Sequence, residues 1–239
     1  MCTVSFVPVG KNVLICSNRD EKYTRSIAYE PAMKQTKSGC RLIFPKDPDG
    51  GGTWIALKEN GDVAILLNGA FENHIPAYPY RRSRGLIFLD IFESKDPIHD
   101  FSTILLNNIE PFTLVLFVNG FLHVCRWDGL NKYIAQLDEK RPHIWSSVTL
   151  YDYPTQLKRT SWFAKWLEKN TSPTITELLS FHQFAGDGDF STDLFMNRDN
   201  KLYTVSITGI VSGDTELEMH YLNLLQHKSY LSSFLSHAQ

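Results

Sequence analysis

The chain has few of the residues that usually announce a site. Its 239 residues contain only four cysteines, Cys2, Cys16, Cys40 and Cys125. No two form a CxxC pair and none stands at zinc-finger spacing from a histidine, which argues against a structural zinc and for a reduced compartment. No apolar run approaches the roughly 18 residues of a membrane span. No opening stretch combines the basic, apolar and small-residue regions of a secretory signal. An excess of one charge is missing as well. Lys and Arg total 24 against 26 Asp and Glu, a formal net charge of -2, so no global basic field favours nucleic acid. Internal repeats, low-complexity tracts and linker-like shifts of composition are absent too. These absences lead to the expectation of a cytoplasmic protein without a transmembrane segment, folded as a single domain over residues 1–239.

What is present is enough apolar material for a large core. Hydrophobic residues make up 43% and aromatics 13%, far from the composition of disorder. The opening TVSFV and NVLIC runs, punctuated by Gly10-Lys11, read as a hairpin, followed by a turn at SNRDE and an irregular stretch to residue 38. CRLIF is a short strand. TWIAL and VAILLN flank Asn60-Gly61, the strongest hairpin signal in the chain, and TLVLFVNGFLHVCRW repeats it around Asn119-Gly120. Helical spacing is expected over residues 86–92 and again over 98–106, the second starting at Asp96-Pro97. KYIAQL and HIWSSVTL continue the strand pattern.

PTQLKRTSWFAKWLEKN is an amphipathic helix with Leu157, Trp162, Phe163 and Trp166 on one side. TITELLSFHQF follows, with Thr174 as N-cap and Glu177 completing a capping box. LYTVSITGIV and TELEMHYLNLL close the pattern before a Ser-rich tail. Hairpins alternating with pairs of helices predict a layered α+β fold of mostly antiparallel sheet, not a doubly wound one.

The cysteine directly behind the initiator methionine is the first functional candidate. Once Met1 is removed, the α-amino group, with an unperturbed pKa of about 7.7–8.0, stands beside a thiol near 8.5. One residue then supplies nucleophile and general base. Equally, Cys2 can be a small apolar residue that starts a strand.

Asn18-Arg19-Asp20-Glu21 follows the second strand. The opening Met-Cys-Thr-Val, the SNRDE segment, the GGTWIAL block and the LLN strand end resemble, in order and approximate spacing, the NRDE family, which includes the transport and Golgi organisation protein 2 homologues. The likeness is good over the N-terminal third and loose beyond it. More distantly, the layout resembles the choloylglycine hydrolase and penicillin V acylase group of cysteine N-terminal nucleophile hydrolases. That resemblance implies an αββα sandwich of two mostly antiparallel sheets. It also implies a reaction without metal or organic cofactor, in which Cys2 attacks an acyl amide or (thio)ester. Arg19 and Asp20 would poise the nucleophile, Asn68 at the end of GDVAILLN would be an oxyanion donor, and Arg159 in KRTSWF would be a helix-borne site arginine. Asn18, Glu21, Trp54, Trp145 and Ser146 would lie on the substrate side, with Glu21 competing with Asp20 as the partner carboxylate.

One departure stands out. Where the resemblance would put a second asparagine, the chain reads Ile144-Trp145-Ser146-Ser147. The alternative function is therefore a non-enzymatic carrier of a lipid, acyl-CoA or haem, and the expected partner in either case is a small acyl or lipid-like molecule.

Other motifs carry less. Gly50-Gly51-Gly52 lacks the Lys-Ser/Thr of a phosphate loop and reads as a flexible turn. Gly186-Asp187-Gly188-Asp189 lacks the spacing of a calcium loop. The Arg81-Arg82-Ser83-Arg84 cluster reads as a solvated turn. His182 and His220 are the histidines to check for haem or metal ligation, against the ordinary alternative of hydrogen-bonded residues.

Overall fold

The computed structural model describes residues 3–36 and 39–234. Along the chain these form β1 (Thr3–Val9), β2 (Asn12–Lys22), β3 (Tyr29–Gln35), β4 (Arg41–Lys46), β5 (Ile55–Lys58), β6 (Val63–Asn68), α1 (Arg84–Phe92), α2 (Pro97–Thr103), β7 (Phe112–Val118), β8 (Phe121–Trp127) and β9 (Lys132–Leu137). The second half adds β10 (His143–Ser146), α3 (Tyr153–Lys169), α4 (Ile175–Phe184), β11 (Asn197–Arg198), β12 (Leu202–Ser212), β13 (Leu217–Asn223) and β14 (Lys228–Phe234). The class is α+β with two antiparallel sheets. The chain divides into two compact units, one built from the segment ending at Arg25 and the segment starting at Lys140, the other from Ser26–Glu139.

The first unit holds the sheet β10-β1-β2-β12-β13-β14, with β11 paired to β12. Gly10, at φ 61°, closes the β1–β2 hairpin. β2 does not stop at the SNRDE turn expected from the sequence. It runs straight through to Lys22, because β12 pairs with it along its length, from Val13↔Ser212 to Lys22↔Leu202. A partner about 190 residues away in sequence is invisible to a local reading. The Ser-rich tail is likewise a strand, β14, held by β13 with Tyr230 opposite Tyr221.

On one face of this sheet Val7, Leu14, Cys16, Ile207 and Val211 pack with Phe163 of α3 and with Leu178, Leu179 and Phe181 of α4. Thr174 caps α4 with both halves of the expected capping box. Gly209 lets α4 settle on the sheet, since a Cβ there would meet Ile175 Cδ1 at 2.9 Å and Leu179 Cδ2 at 3.1 Å. On helix α3 Phe163 is buried and Trp162 and Trp166 pack against this core as expected, but Leu157 is 51% exposed and the wholly inward positions are Thr155, Arg159 and Phe163. These recur every four residues, so the helical period is obeyed with an arginine where an apolar side chain would be expected.

The second unit is a meander, β3 to β9 in sequence order. Its two tight hairpins form where the turns are written in the sequence: Gly61 has φ 89°, and Asn119 and Gly120 have φ 52° and 80°. Helices α1 and α2 take the face carrying Lys58 and Phe112, where Lys58 Nζ donates to Ser94 O at 2.8 Å and Phe101 meets Phe112 edge-on. The Gly50-Gly51-Gly52 turn is not merely flexible. A Cβ on Gly52 would lie 2.2 Å from the backbone carbon of Gly85, so the loop needs glycine for α1 to begin beside it. The arginine cluster is largely compensated: Arg82 pairs with Asp90, Arg84 with Glu110 at 3.1 Å, and Arg81 Nη2 donates to Leu105 O at 2.7 Å.

Candidate active site

Cys2 lies outside the described residues, so the site is built from what surrounds the start of β1. Thr3, its neighbour in sequence, opposes Asn18 on β2 and Ser146 on β10. The sequence-predicted residues Asn18, Arg19, Asp20, Glu21, Trp145, Ser146 and Arg159 all belong to this first unit. Asn68 and Trp54 belong to the second, where Asn68 closes β6 half-buried and Trp54, at 3% exposure, precedes β5.

Adjacent residues on a strand face opposite ways, and that separates the Arg19-Asp20 pair. Asp20 is on the helix-covered face. Its Oδ2 accepts from Tyr151 OH at 2.6 Å and its Oδ1 from Thr204 Oγ1 at 2.5 Å. Arg19 is on the other face, 3% exposed, with its Nη2 3.8 Å from Glu21 Oε1. Of the two carboxylates the sequence left in competition, Glu21 shares the face of Arg19.

Arg159 is fully buried on the helix-covered face. Its Nη1 donates to Thr3 Oγ1, its Nη2 to Asp193 O at 2.6 Å, and its Nε and Nη2 to Thr192 O at 3.1 and 3.0 Å. The guanidinium lies 3.6 Å from the centre of the Tyr151 ring. It therefore anchors the residue next to Cys2 from beneath the sheet.

Beside it runs a network that the sequence reading did not assemble, although it named Asn18 and His182 separately. His182, fully buried, meets Ser5 Oγ through Nε2 at 2.7 Å and Asn18 Oδ1 through Nδ1. Asn18 Nδ2 donates to His182 O at 3.1 Å and Leu194 O at 2.7 Å. Because an amide oxygen only accepts, Nδ1 carries the proton and Nε2 accepts from the serine. Burial first, and the nearby Arg159 charge second, hold the imidazole pKa down at about 3. The arrangement copies the order of a Ser-His-Asn triad, yet Ser5, His182 and Asn18 are all 0% exposed. It is a fixture of the core. Besides His182, already weighed as a hydrogen-bonded residue, the clue was polar residues at alternate positions of an otherwise apolar strand, Thr3 and Ser5.

Neither histidine singled out for metal or haem behaves as a ligand in waiting. His220 Nε2 lies 2.9 Å from Glu218 Oε2, and no metal-holding cluster occurs among the described residues. Trp145 stacks on His143 with ring centres 5.6 Å apart. Ser147 is buried and its hydroxyl lies 3.0 Å from that of Thr149. Burial raises the thiol pKa of Cys16 strongly, that of Cys125 to about 12, and that of the partly exposed Cys40 to a lesser extent.

The model of the family described as Transport and Golgi organisation 2 matches residues 1–208. The chain belongs to that family. No curated protein matches it in sequence. Among solved structures, penicillin V acylase from Agrobacterium tumefaciens superposes with a TM-score of 0.62 at 10% identity, over 98% of this chain and 86% of that one. The Caenorhabditis elegans orthologue of N-acylethanolamine-hydrolysing acid amidase gives 0.59 at 12% identity, over 87% and 92%. A variant of the conjugated bile acid hydrolase from Clostridium perfringens gives 0.57 at 9% identity, over 100% of both chains. This family member thus has the fold of N-terminal nucleophile hydrolases. No helix among its described residues is long and apolar enough to cross a membrane.

Proposed function

We propose that the protein is a cysteine N-terminal nucleophile hydrolase acting on an acyl amide or (thio)ester. The observation that carries the reading is the anchoring beneath β1. Arg159 and His182, both wholly buried, are spent on Thr3, Ser5 and Asn18. Burying a guanidinium and an imidazole is costly unless every donor is matched, and here both groups hold side chains of the strand that follows the expected nucleophile and of its β2 neighbour. The fold shared with acylases and amidases supports the same reading.

In this scheme the free α-amine of Cys2 takes the thiol proton as sulfur attacks the acyl carbonyl. The resulting ammonium returns that proton to the leaving amine, thiol or alcohol as the tetrahedral intermediate collapses. Water, deprotonated by the same amine, then attacks the acyl-enzyme; the C–S bond breaks, the acyl group leaves as a carboxylic acid and the ammonium returns its proton to the Cys2 sulfur. Arg19 favours the thiolate electrostatically, Glu21 orients Arg19, and Asp20 steadies the strand through Tyr151. Asn68 is proposed as an oxyanion donor, a role whose loss costs roughly 10²–10³ in kcat. Trp54, Trp145 and Ser146 are assigned to substrate positioning, Asn18, whose amide is wholly taken up by His182 and Leu194, to holding β2 beside β1, and the whole chain to one functional domain in the cytoplasm.

The test is turnover of a panel of chromogenic acyl amides and thioesters by protein beginning at Cys2. Activity that vanishes in Cys2→Ala and falls in Asn68→Ala supports the scheme. A second reading, a carrier of lipid, acyl-CoA or haem, draws on Ser146-Ser147 standing where the related hydrolases have an asparagine. Stoichiometric, reversible binding without turnover, unchanged in Cys2→Ala, would favour it.

A further inference from the structure

Across the second unit's sheet, Leu67, Thr113, Arg126 and Tyr133 stand opposite one another on β6, β7, β8 and β9. They lie on the face away from Phe112 and Lys58, where α1 and α2 pack, and at the end of β6 closed by Asn68. Arg126 differs from three other arginines of this unit. Arg41, Arg82 and Arg84 each pair with a carboxylate, whereas Arg126 has no ion-pair partner among the described residues. Its Nε is buried without a hydrogen-bond partner, and burial depresses its pKa. Asp128, two residues on, is occupied. Its Oδ1 accepts from the backbone N–H groups of Leu130 and Asn131, both at 2.7 Å, and its Oδ2 from Tyr133 OH at 3.0 Å. The Thr113 hydroxyl is turned to Gly69 O at 2.9 Å.

One aromatic ring lies over the guanidinium and a second adjoins that ring. Phe71, three residues past Asn68, places its ring centre 5.0 Å from Arg126 Cζ and meets Tyr133 edge-on at 4.9 Å. Both rings remain open, at 51% and 43% exposure. A cation held over a ring retains its planar fork of donors for a carboxylate or phosphate. Leaving such a fork half-desolvated and uncompensated costs stability, a cost that an incoming anion removes.

We propose that Arg126, framed by Phe71 and Tyr133, binds the oxyanion of an amphiphilic ligand, a carboxylate or phosphate whose apolar chain lies along the two rings. The acyl chain rests on the reading of the previous subsection; the anion preference does not.

The test uses full-length Cys2→Ala protein, in which nucleophilic turnover plays no part, titrated by calorimetry with octanoate, octyl phosphate and 1-octanol. At least one anion binds about tenfold or more tighter than the alcohol, the scale of one charge-assisted contact. That preference shrinks to about twofold or less in Arg126→Gln and is partly kept in Arg126→Lys. Phe71→Ala weakens all three probes alike. Preference for one anion alone identifies the source, fatty acid or phosphate ester. Equal binding of anions and alcohol by the parent overturns the proposal whether or not Arg126→Gln folds, as does a preference that survives Arg126→Gln. Either failure leaves Cys2 chemistry untouched, and inert Cys2 leaves the anion preference standing.

Discussion

Acidification should loosen the first unit through His182, and the size of the effect follows from its surroundings. The ring is fully buried, donates to Asn18 and accepts from Ser5. Protonation would put a second proton against a serine whose hydroxyl hydrogen already points at Nε2, in a site that also feels Arg159. The pKa is accordingly held at about 3 against the ordinary 6.5. In the unfolded chain the imidazole begins to bind its proton below pH 6.5, while in the folded protein it stays neutral until about pH 3. The stabilisation is therefore complete above pH 6.5 and drains away as pH falls between those limits. By proton linkage the loss between pH 7 and pH 5 is about 2 kcal/mol from this one residue. Urea unfolding at the two pH values, on wild type and on His182→Gln, isolates the contribution, because the variant has no imidazole to titrate there. The reasoning is refuted if both proteins lose the same stability. Should the variant not fold, the histidine resonances of wild type decide: a His182 titration midpoint near 6.5 in the native protein contradicts the account.

Other expectations follow from the same network and its neighbours. Tyr151→Phe removes the donor to the buried Asp20 carboxylate, at a cost of about 1.5–3 kcal/mol, read by denaturant midpoint. Arg159→Met strands Thr192 O, Asp193 O and Thr3 Oγ1 together and should cost roughly 3 kcal/mol or more, a size reserved for broken buried networks. Gly52→Ala drives a methyl into the Gly85 backbone and should lower the unfolding free energy by roughly 1–3 kcal/mol; an unchanged melting curve would mean the loop and α1 are not in contact. Iodoacetamide at neutral pH should leave Cys16 and Cys125 unlabelled in native protein, since burial raises both thiols, and peptide mapping checks this directly.

The local parts of the fold were legible. The turns at Asn60-Gly61 and Asn119-Gly120, the Thr174 capping box and the Asp96-Pro97 helix start each depend on a few adjacent residues, and each formed where it was expected. The non-local parts were not. Asn18, Arg19 and Asp20 look like a turn because polar residues rarely fill mid-strand positions. They are strand here because Tyr151, Thr204, His182 and Leu194, all more than 130 positions away, supply their partners. Arg159 was expected as a helix-borne site arginine, but its burial against Thr3, 156 positions away, could not be read from α3 itself. The N-terminal motif pointed to the correct fold through resemblance, while the alternation of β2 reassigned which carboxylate faces Arg19.

The central claim is that Cys2 is an activated nucleophile, and intact mass spectrometry of protein beginning at Cys2 tests it most directly. Brief exposure to a sub-stoichiometric activated acyl ester should add one acyl group, mapped by peptide analysis to Cys2 ahead of Cys16, Cys40 and Cys125. The adduct should then be lost on further incubation as water completes the cycle. A Cys2 that acylates no faster than a simple thiol of the same pKa would contradict the account.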